Sequence, residues 1–335
     1  MKGETILTGI TTSGTPHLGN YVGAIRPAIE LSRQEDVRTY YFLADYHSLI
    51  KAQDPAKTKK STIELAATWM ACGLDTERSV FYRQSDVPEI LELTWILTCL
   101  TSKGLMNRAH AYKAAVDENL SEGEDHDKGV TMGLYCYPIL MAADILLFNA
   151  TKIPVGRDQV QHIEMARDIA QRFNHHYKEL FILPEPFVEE RTAVLSGLDG
   201  RKMSKSYDNT IPLFCDENRL KNLIKKIKTD SSPPEEPKDP ETSPLFQIYR
   251  AFATAEQTEE IRERYAKGIG WGEMKQILFE TVNENLKEPR AKYEELMKNP
   301  KVIKETLLEG AAKARRYAVP LIKKVRKAVG TVPFD

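Results

Sequence analysis

Thr5-Ile6-Leu7-Thr8-Gly9-Ile10 runs into Thr11-Thr12-Ser13-Gly14-Thr15-Pro16-His17-Leu18-Gly19-Asn20, and the reading of this junction decides the fold. The first six residues form an apolar run of strand length. The next ten carry small residues and a proline before a helical pattern opens around Leu18. A strand, a glycine-containing turn and a helix start aim backbone N–H groups and a positive helix end at an anion. Gly9, Gly14, Gly19 and Gly23 permit close backbone approach, and His17 and Asn20, one helical turn apart, put two hydrogen-bonding side chains on one side. Taken alone, the stretch is equally a tight turn with a polar cap. Lys202-Met203-Ser204-Lys205-Ser206, far downstream, shifts the balance. Two ammonium groups three residues apart, with one hydroxyl between them and another just after, suit charge developing on a departing anion.

The chain has 335 residues, 41% of them hydrophobic, and a formal net charge of −1. Its length suggests about two domains and its apolar content a sizeable core. No run of 18 apolar residues and no basic-then-apolar amino terminus is present, so neither a membrane span nor a signal peptide is expected, which leaves the cytoplasm. Cys72, Cys99, Cys136 and Cys215 show no CxxC spacing and lie in or beside apolar segments, which argues for reduced, mostly buried thiols over disulfides or a metal site. Near-neutrality gives no global nucleic-acid footprint but leaves room for a local basic patch.

Strand and helix patterns alternate from the junction onward: helix from Tyr21 to Ser32, strand Arg38 to Asp45, helix about Ala56 to Ala71, strand Ser79 to Ser85, helix Pro88 to about Thr101. The alternation predicts a parallel sheet, with ligands at the carboxyl ends of its strands, where Asp45-Tyr46-His47-Ser48 falls. A weakly periodic, partly acidic stretch from about 101 to 131 reads as a surface insertion. Tyr137, Met141 and Asp144 then recur at i, i+4, i+7, putting an aromatic ring, a thioether and one carboxylate on a single helix face. A carboxylate within an apolar run needs a partner; a helix cap or an arginine would serve equally.

Pro16-His17-Leu18-Gly19-Asn20 and Lys202-Met203-Ser204-Lys205-Ser206 resemble the HIGH-like and KMSKS signatures of class I aminoacyl-tRNA synthetases, in which the first ends the first strand of a Rossmann-like domain and the second closes over ATP. Tyr137-Pro138-Ile139-Leu140-Met141-Ala142-Ala143-Asp144-Ile145 is similar to the Y-P-x-L-M-A-A-D-I run of the bacterial tryptophanyl members. Pro154-Val155-Gly156-Arg157-Asp158-Gln159 and Gln161-His162 match their P-V-G-x-D-Q-x-Q-H sequence, with Arg157 where a glutamate is usual. The resemblance runs from Ile6 to about Lys327. It implies an α/β fold: a Rossmann-like parallel-sheet catalytic domain over 1–210, with the connective insertion at about 101–131 and the KMSKS loop at 200–207, and an all-helical anticodon-binding domain over 211–335. It implies His17, Asn20, Lys202 and Lys205 as catalytic residues. ATP would be held by Thr11, Thr12, Ser13, Gly19, Asn20, Gly156, Asp158, Val194 and Lys202 to Ser206, including Met203 and Ser204. Tryptophan would lie against Leu7, Gly9, His47, Tyr137, Met141, Asp144, Ile153, Val155 and Gln159, with Asp144 accepting the indole N–H. Arg108-Ala109-His110-Ala111-Tyr112-Lys113 departs from the family's usual R-M-T-Q-F-K, leaving Lys113 as a phosphate candidate only.

The implied reaction is tryptophan activation by ATP with release of pyrophosphate, then transfer to the 3′ end of tRNA(Trp). Mg²⁺ would arrive with ATP, with no protein metal site, and the enzyme would be a homodimer. Two basic stretches, Lys221, Lys225, Lys226 and Lys228, and Lys313, Arg315, Arg316, Lys323, Lys324, Arg326 and Lys327, are the candidate tRNA contacts. A tyrosyl enzyme and a non-catalytic paralogue are the alternatives.

Overall fold

The computed structural model describes residues 3–12, 14–188 and 195–332, and of Asp158 the backbone alone. Ser13, Val194 and the Asp158 side chain, all expected at the nucleotide, lie outside the described residues. The apolar run forms β1 (Thr5–Thr11), followed by α1 (Leu18–Asn20), a π-helical turn (Tyr21–Ile25) and α2 (Arg26–Ser32). The helix expected from Tyr21 thus starts three residues earlier and is wider in its first half. β2 (Arg38–Ala44), α3 (Asp45–Ser48), α4 (Pro55–Ala71), β3 (Val80–Arg83) and α5 (Glu89–Leu100) continue the alternation. Asp54 starts α4 by accepting the Ala56 and Lys57 N–H groups at 2.9 and 3.2 Å, with Pro55 at the first helical position, where its missing N–H costs nothing. The expected insertion holds α6 (Lys103–Met106) and α7 (His110–Ser121), the latter burying none of its residues. α8 (Met132–Leu146), β4 (Lys152–Pro154), α9 (Val160–His176) and β5 (Glu185–Phe187) complete the sheet.

All five strands are parallel, in the order β3-β2-β1-β4-β5. This doubly wound order reverses between β1 and β4, opening a crevice at the strands' carboxyl ends. Helices cover both faces, so β2 is buried at every residue after Arg38, as central strands of parallel sheets are.

Beyond residue 211 come α10 (Glu217–Lys225), α11 (Pro244–Phe252), α12 (Ala255–Lys267), α13 (Trp271–Lys298) and α14 (Pro300–Val329). α10 to α13 enclose an apolar cluster that includes Leu220, Phe246, Met274 and Leu278 and also takes in Leu18, Val22 and Met203. The two signature stretches therefore share a core with the helical region.

The last helix crosses the division expected at 210/211. Its Ile303 and Leu307 join the core on the Tyr41 and Phe81 face of the sheet, while Ala311, Ala314, Ala318 and Ile322 join the core on the Tyr40 and Tyr82 face. α14 thus passes over the edge strand β3. Gly310 sits at the crossing, where a Cβ would stand 1.6 Å from the Phe81 carbonyl oxygen. Covering β3 protects an edge that is open to pairing with other strands. Arg315 grips Glu89 and Arg326 grips Glu92, each through two guanidinium nitrogens, and Lys313 donates to the Thr76 carbonyl at 2.9 Å. Three of the basic residues expected to face tRNA are therefore spent on docking this helix.

Candidate active site

A cavity of about 1220 Å³ opens where β1 and β4 diverge. β1 supplies Leu7, Gly9 and Thr11, with Thr12 just beyond it; the segment after β4 supplies Val155, Gly156 and Gln159. Tyr137, Met141 and Asp144 enter from α8, and His47 from α3. All nine residues expected against an amino acid line this one space, as do Thr11, Thr12 and Gly156. Gly9 has a second reason to be glycine: a Cβ there would meet the Phe42 ring at 2.4 Å.

Asp144 is fully buried. Its partners are neither a helix end nor an arginine. The Nε2–H of His47 donates to Oδ2 at 2.9 Å, and the Gln84 amide donates to both oxygens at 2.9 Å. Burial raises the carboxyl pKa, and the hydrogen bonds from His47 and Gln84 oppose that rise. A carboxylate offers about four lone-pair sites, so a further donor entering from the cavity can be accommodated. Gln84, just past β3, was missed in the sequence, although its place at a strand's carboxyl end, the position that singled out Asp45 to Ser48, was the available signal. The Tyr137 hydroxyl bonds His162 Nε2, and His162 Nδ1 donates to Gln159 Oε1 at 2.9 Å, fixing the aromatic wall in one orientation.

The first signature is held by groups outside it. Ser48 Oγ accepts from the Thr12 N–H at 2.7 Å and Ser61 Oγ from the Gly14 N–H at 3.0 Å, while Glu64 Oε2 accepts the Thr15 hydroxyl at 3.1 Å. Gly14 needs its freedom, with φ at +95°. His17 and Asn20 bond each other: Asn20 Oδ1 accepts the His17 N–H at 3.1 Å and His17 Nδ1 accepts the Asn20 N–H at 3.3 Å. The Leu18 N–H goes to the Ile211 carbonyl at 3.0 Å. These N–H groups, expected to point at an anion, are satisfied within the chain. His17, Gly19 and Asn20 lie outside the cavity lining, and burial, with Lys205 second, lowers the His17 pKa to about 4. The imidazole is neutral at pH 7.

The second signature packs on the first. Met203 is buried against Leu18 and Val22, so its side chain anchors the loop instead of lining the cavity. Ser204 and Ser206 bond each other through their hydroxyls at 2.8 Å. The Lys205 ammonium stands 3.4 Å from where a Gly14 Cβ would be, and Lys202 is exposed. Asn209, unremarked in the sequence, organises the loop: its amide donates to Asp199 at 2.7 Å and to the Lys202 carbonyl at 3.1 Å, and its oxygen accepts the Ser204 N–H at 2.8 Å. The hydrogen bond from Asn209, and then that from Arg201, hold the Asp199 carboxyl down at about 2. Lys113 is exposed, and the cavity receives Ala111 in its place.

The sequence profile of tRNA synthetases class I (W and Y) matches residues 2–287. The chain belongs to this class I synthetase family. The synthetase is 63% identical over 328 residues to the tryptophan–tRNA ligase of Pseudomonas aeruginosa, covering 97% of this chain and 73% of that one. To the tryptophan–tRNA ligase of Xanthomonas campestris it is 60% identical over 327 residues, covering 97% and 76%. Among solved structures, the tryptophanyl-tRNA synthetase of Campylobacter jejuni complexed with ADP and tryptophan superimposes with a TM-score of 0.88 at 44% identity, over 97% of this chain and 99% of that one. The tyrosyl-tRNA synthetase of Archaeoglobus fulgidus shares the fold, with a TM-score of 0.62 at 20% identity.

Proposed function

We propose that the chain is a tryptophan–tRNA ligase, which activates L-tryptophan with ATP and passes it to tRNA(Trp). The observation that carries the substrate choice is the fully buried Asp144 carboxylate at the apolar end of the cavity, an acceptor with capacity for an indole N–H. High identity to tryptophan–tRNA ligases supports the same reading over the tyrosyl alternative.

In this reading a tryptophan carboxylate oxygen attacks the α-phosphorus of ATP, the bond to the bridging oxygen breaks, and pyrophosphate leaves with the adenylate remaining. A ribose hydroxyl at the tRNA 3′ end then attacks the acyl carbon and AMP departs. The substrate is its own nucleophile, so the protein's part is to hold reactants in line and neutralise charge. Lys202 and Lys205 take up charge as pyrophosphate separates. Thr11, Thr12 and Gly156 bound the nucleotide side of the cavity, while His17, Gly19 and Asn20 shape the turn beneath it. Mg²⁺ travels on the phosphates, the hard oxygen ligands it prefers.

Residues 1–210 form the catalytic domain and 211–335 the tRNA-reading one, with α14 bridging them. The tRNA contacts fall to the exposed lysines Lys225, Lys226 and Lys228 and to Arg316, Lys323, Lys324 and Lys327, which are exposed on α14. We assign the homodimer interface to α5, where Leu91, Trp95 and Cys99 form an exposed stripe at i, i+4, i+8 and Trp95 is 68% exposed, an unusual state for so large an apolar surface. The enzyme works in the cytoplasm, with its tRNA. Pyrophosphate exchange measured with each of the twenty amino acids tests the proposal. Exchange with tryptophan alone is expected, and exchange with tyrosine or with none overturns it.

A further inference from the structure

Gln84 touches Asp144 from behind. Both side chains are fully buried, and Asp144 lines the cavity while Gln84 does not. The glutamine opens the turn Gln84–Asp86 that follows β3, and its neighbours tie that turn down on both sides. Asp45 Oδ1 accepts the Ser85 N–H at 3.0 Å, and Arg83 Nε donates to Asp86 Oδ2 at 3.0 Å. The side chain is held as well. Its Oε1 accepts the Tyr46 N–H of α3 at 3.1 Å, and its Nε2 stands 2.9 Å from each Asp144 oxygen. The oxygen and nitrogen of an amide are told apart by their partners. A backbone N–H can only donate, so the oxygen faces Tyr46 and the amide hydrogens face Asp144. His47, which meets Oδ2, carries no such constraint, because an imidazole nitrogen changes from donor to acceptor with the tautomer. Burial pushes the Asp144 carboxyl up, towards the neutral form that can itself donate, and the hydrogen bonds from His47 and Gln84 work against that.

We propose that Gln84 fixes the hydrogen-bond polarity of the amino-acid pocket: its locked amide makes Asp144 an obligate acceptor, so the site takes a ring that carries an N–H and refuses an isostere without one. The proposal rests on the tryptophan reading above. Gln84 acts through Asp144 and is a positioning residue. Without the amide, Oδ1 loses its donor and the neutral carboxyl gains ground; leaving that neutral group without a ring N–H costs less than stranding a charge. A hydrogen bond to a charged group is worth roughly 10- to 100-fold in an equilibrium.

The probe is β-(3-benzothienyl)alanine, a tryptophan isostere with sulfur in place of the ring N–H. In the wild type, kcat/KM by pyrophosphate exchange should favour tryptophan over this analogue by roughly 10⁴-fold. Gln84→Met keeps the length of the side chain and removes the donor. It should narrow the ratio roughly 10- to 100-fold, chiefly through the KM for tryptophan, and leave the KM for ATP in place. Gln84→Asn, too short to span Tyr46 and Asp144, should move the ratio the same way and serves if the methionine variant fails to fold. In an Asp144→Ala background, Gln84→Met should leave the ratio where it is, because the group it acts through is missing. A merely structural role would raise the KM for tryptophan and for the analogue by one factor. An unchanged ratio in a folded variant therefore overturns the proposal, and so does a further narrowing in the Asp144→Ala background. The two readings fail separately. A wild type and variants that favour tryptophan equally remove Gln84 alone, while a wild type that uses both amino acids alike overturns the acceptor role of Asp144 and the proposal with it.

Discussion

Replacing Asp144 tests substrate choice most directly, and the two obvious substitutions are not equivalent. Asp144→Ala removes the acceptor of three hydrogen bonds, from His47 Nε2 and from the Gln84 amide to both oxygens. Each buried donor left without a partner costs about 1–3 kcal/mol, partly offset because a carboxylate no longer has to be kept out of water. Asp144→Asn is gentler. Its amide nitrogen meets His47 across the former 2.9 Å contact, and a tautomer change on the imidazole turns that nitrogen into an acceptor. The amide oxygen then remains for Gln84 and for an indole N–H, without charge assistance. A site built on one buried polar group rejects a substrate lacking the partner by roughly 10⁴-fold or more, whereas shape alone gives about 10- to 200-fold. The ratio of kcat/KM for tryptophan over phenylalanine, read by pyrophosphate exchange, should therefore drop into the shape-only range in Asp144→Ala and settle between the two in Asp144→Asn. Melting temperatures measured alongside separate lost selectivity from lost folding. If Asp144→Ala folds and keeps the wild-type ratio, Asp144 is structural and the indole is read elsewhere.

Gly310→Ala should destabilise the protein by about 1–3 kcal/mol, because the added methyl meets a backbone carbonyl that no rotamer change can clear; chemical denaturation decides, and a stabilised variant, as helix propensity alone predicts, refutes the packing account. Charge reversal of Arg316, Lys323 and Lys327 together should weaken tRNA binding and flatten its salt dependence while sparing pyrophosphate exchange. Arg315→Ala should instead lower the melting temperature, since it strands a buried Glu89; equal effects on tRNA affinity would contradict the division drawn between the two faces of α14. His17 has a folded pKa of about 4 against 6.5 unfolded, so between those values the unfolded chain takes up a proton that the folded one does not. Its stabilising contribution is complete above pH 6.5 and lost as the pH falls to about 4, and His17→Gln should show a shallower fall of melting temperature across that window. Trp95→Glu should shift the protein to monomer in sedimentation equilibrium; an unchanged mass would remove α5 from the interface.

Most of the sheet could be read in advance because its signals are local. β1 and β2 are apolar runs of strand length, and Asp54-Pro55 marks a helix start by its own chemistry. What escaped depends on residues far apart in the chain. Nothing near Asp144 indicates that its partners come from positions 47 and 84, since both reach it only when β2 and β3 lie side by side. The spacing of His17 and Asn20 was legible, but a one-turn separation serves a reciprocal cap as well as a shared ligand, and the cap shows only once Nδ1 and Oδ1 meet the two backbone N–H groups. α14 carries the charge pattern of a solvent-facing helix, and its docking role shows only once Arg315 and Arg326 find Glu89 and Glu92. Met203, in the middle of a polar pentapeptide, gave no hint of an apolar neighbour supplied by the opposite signature.

The cover that α14 gives to β3 also sets a clock on biosynthesis. Glu89 and Arg315 are 226 positions apart, and chains elongate at about 5–20 residues per second, so the edge strand leaves the ribosome roughly 11–45 s before its cover exists. Through that interval the nascent sheet is a sticky intermediate, and chaperone occupancy on translating ribosomes should persist until α14 has emerged.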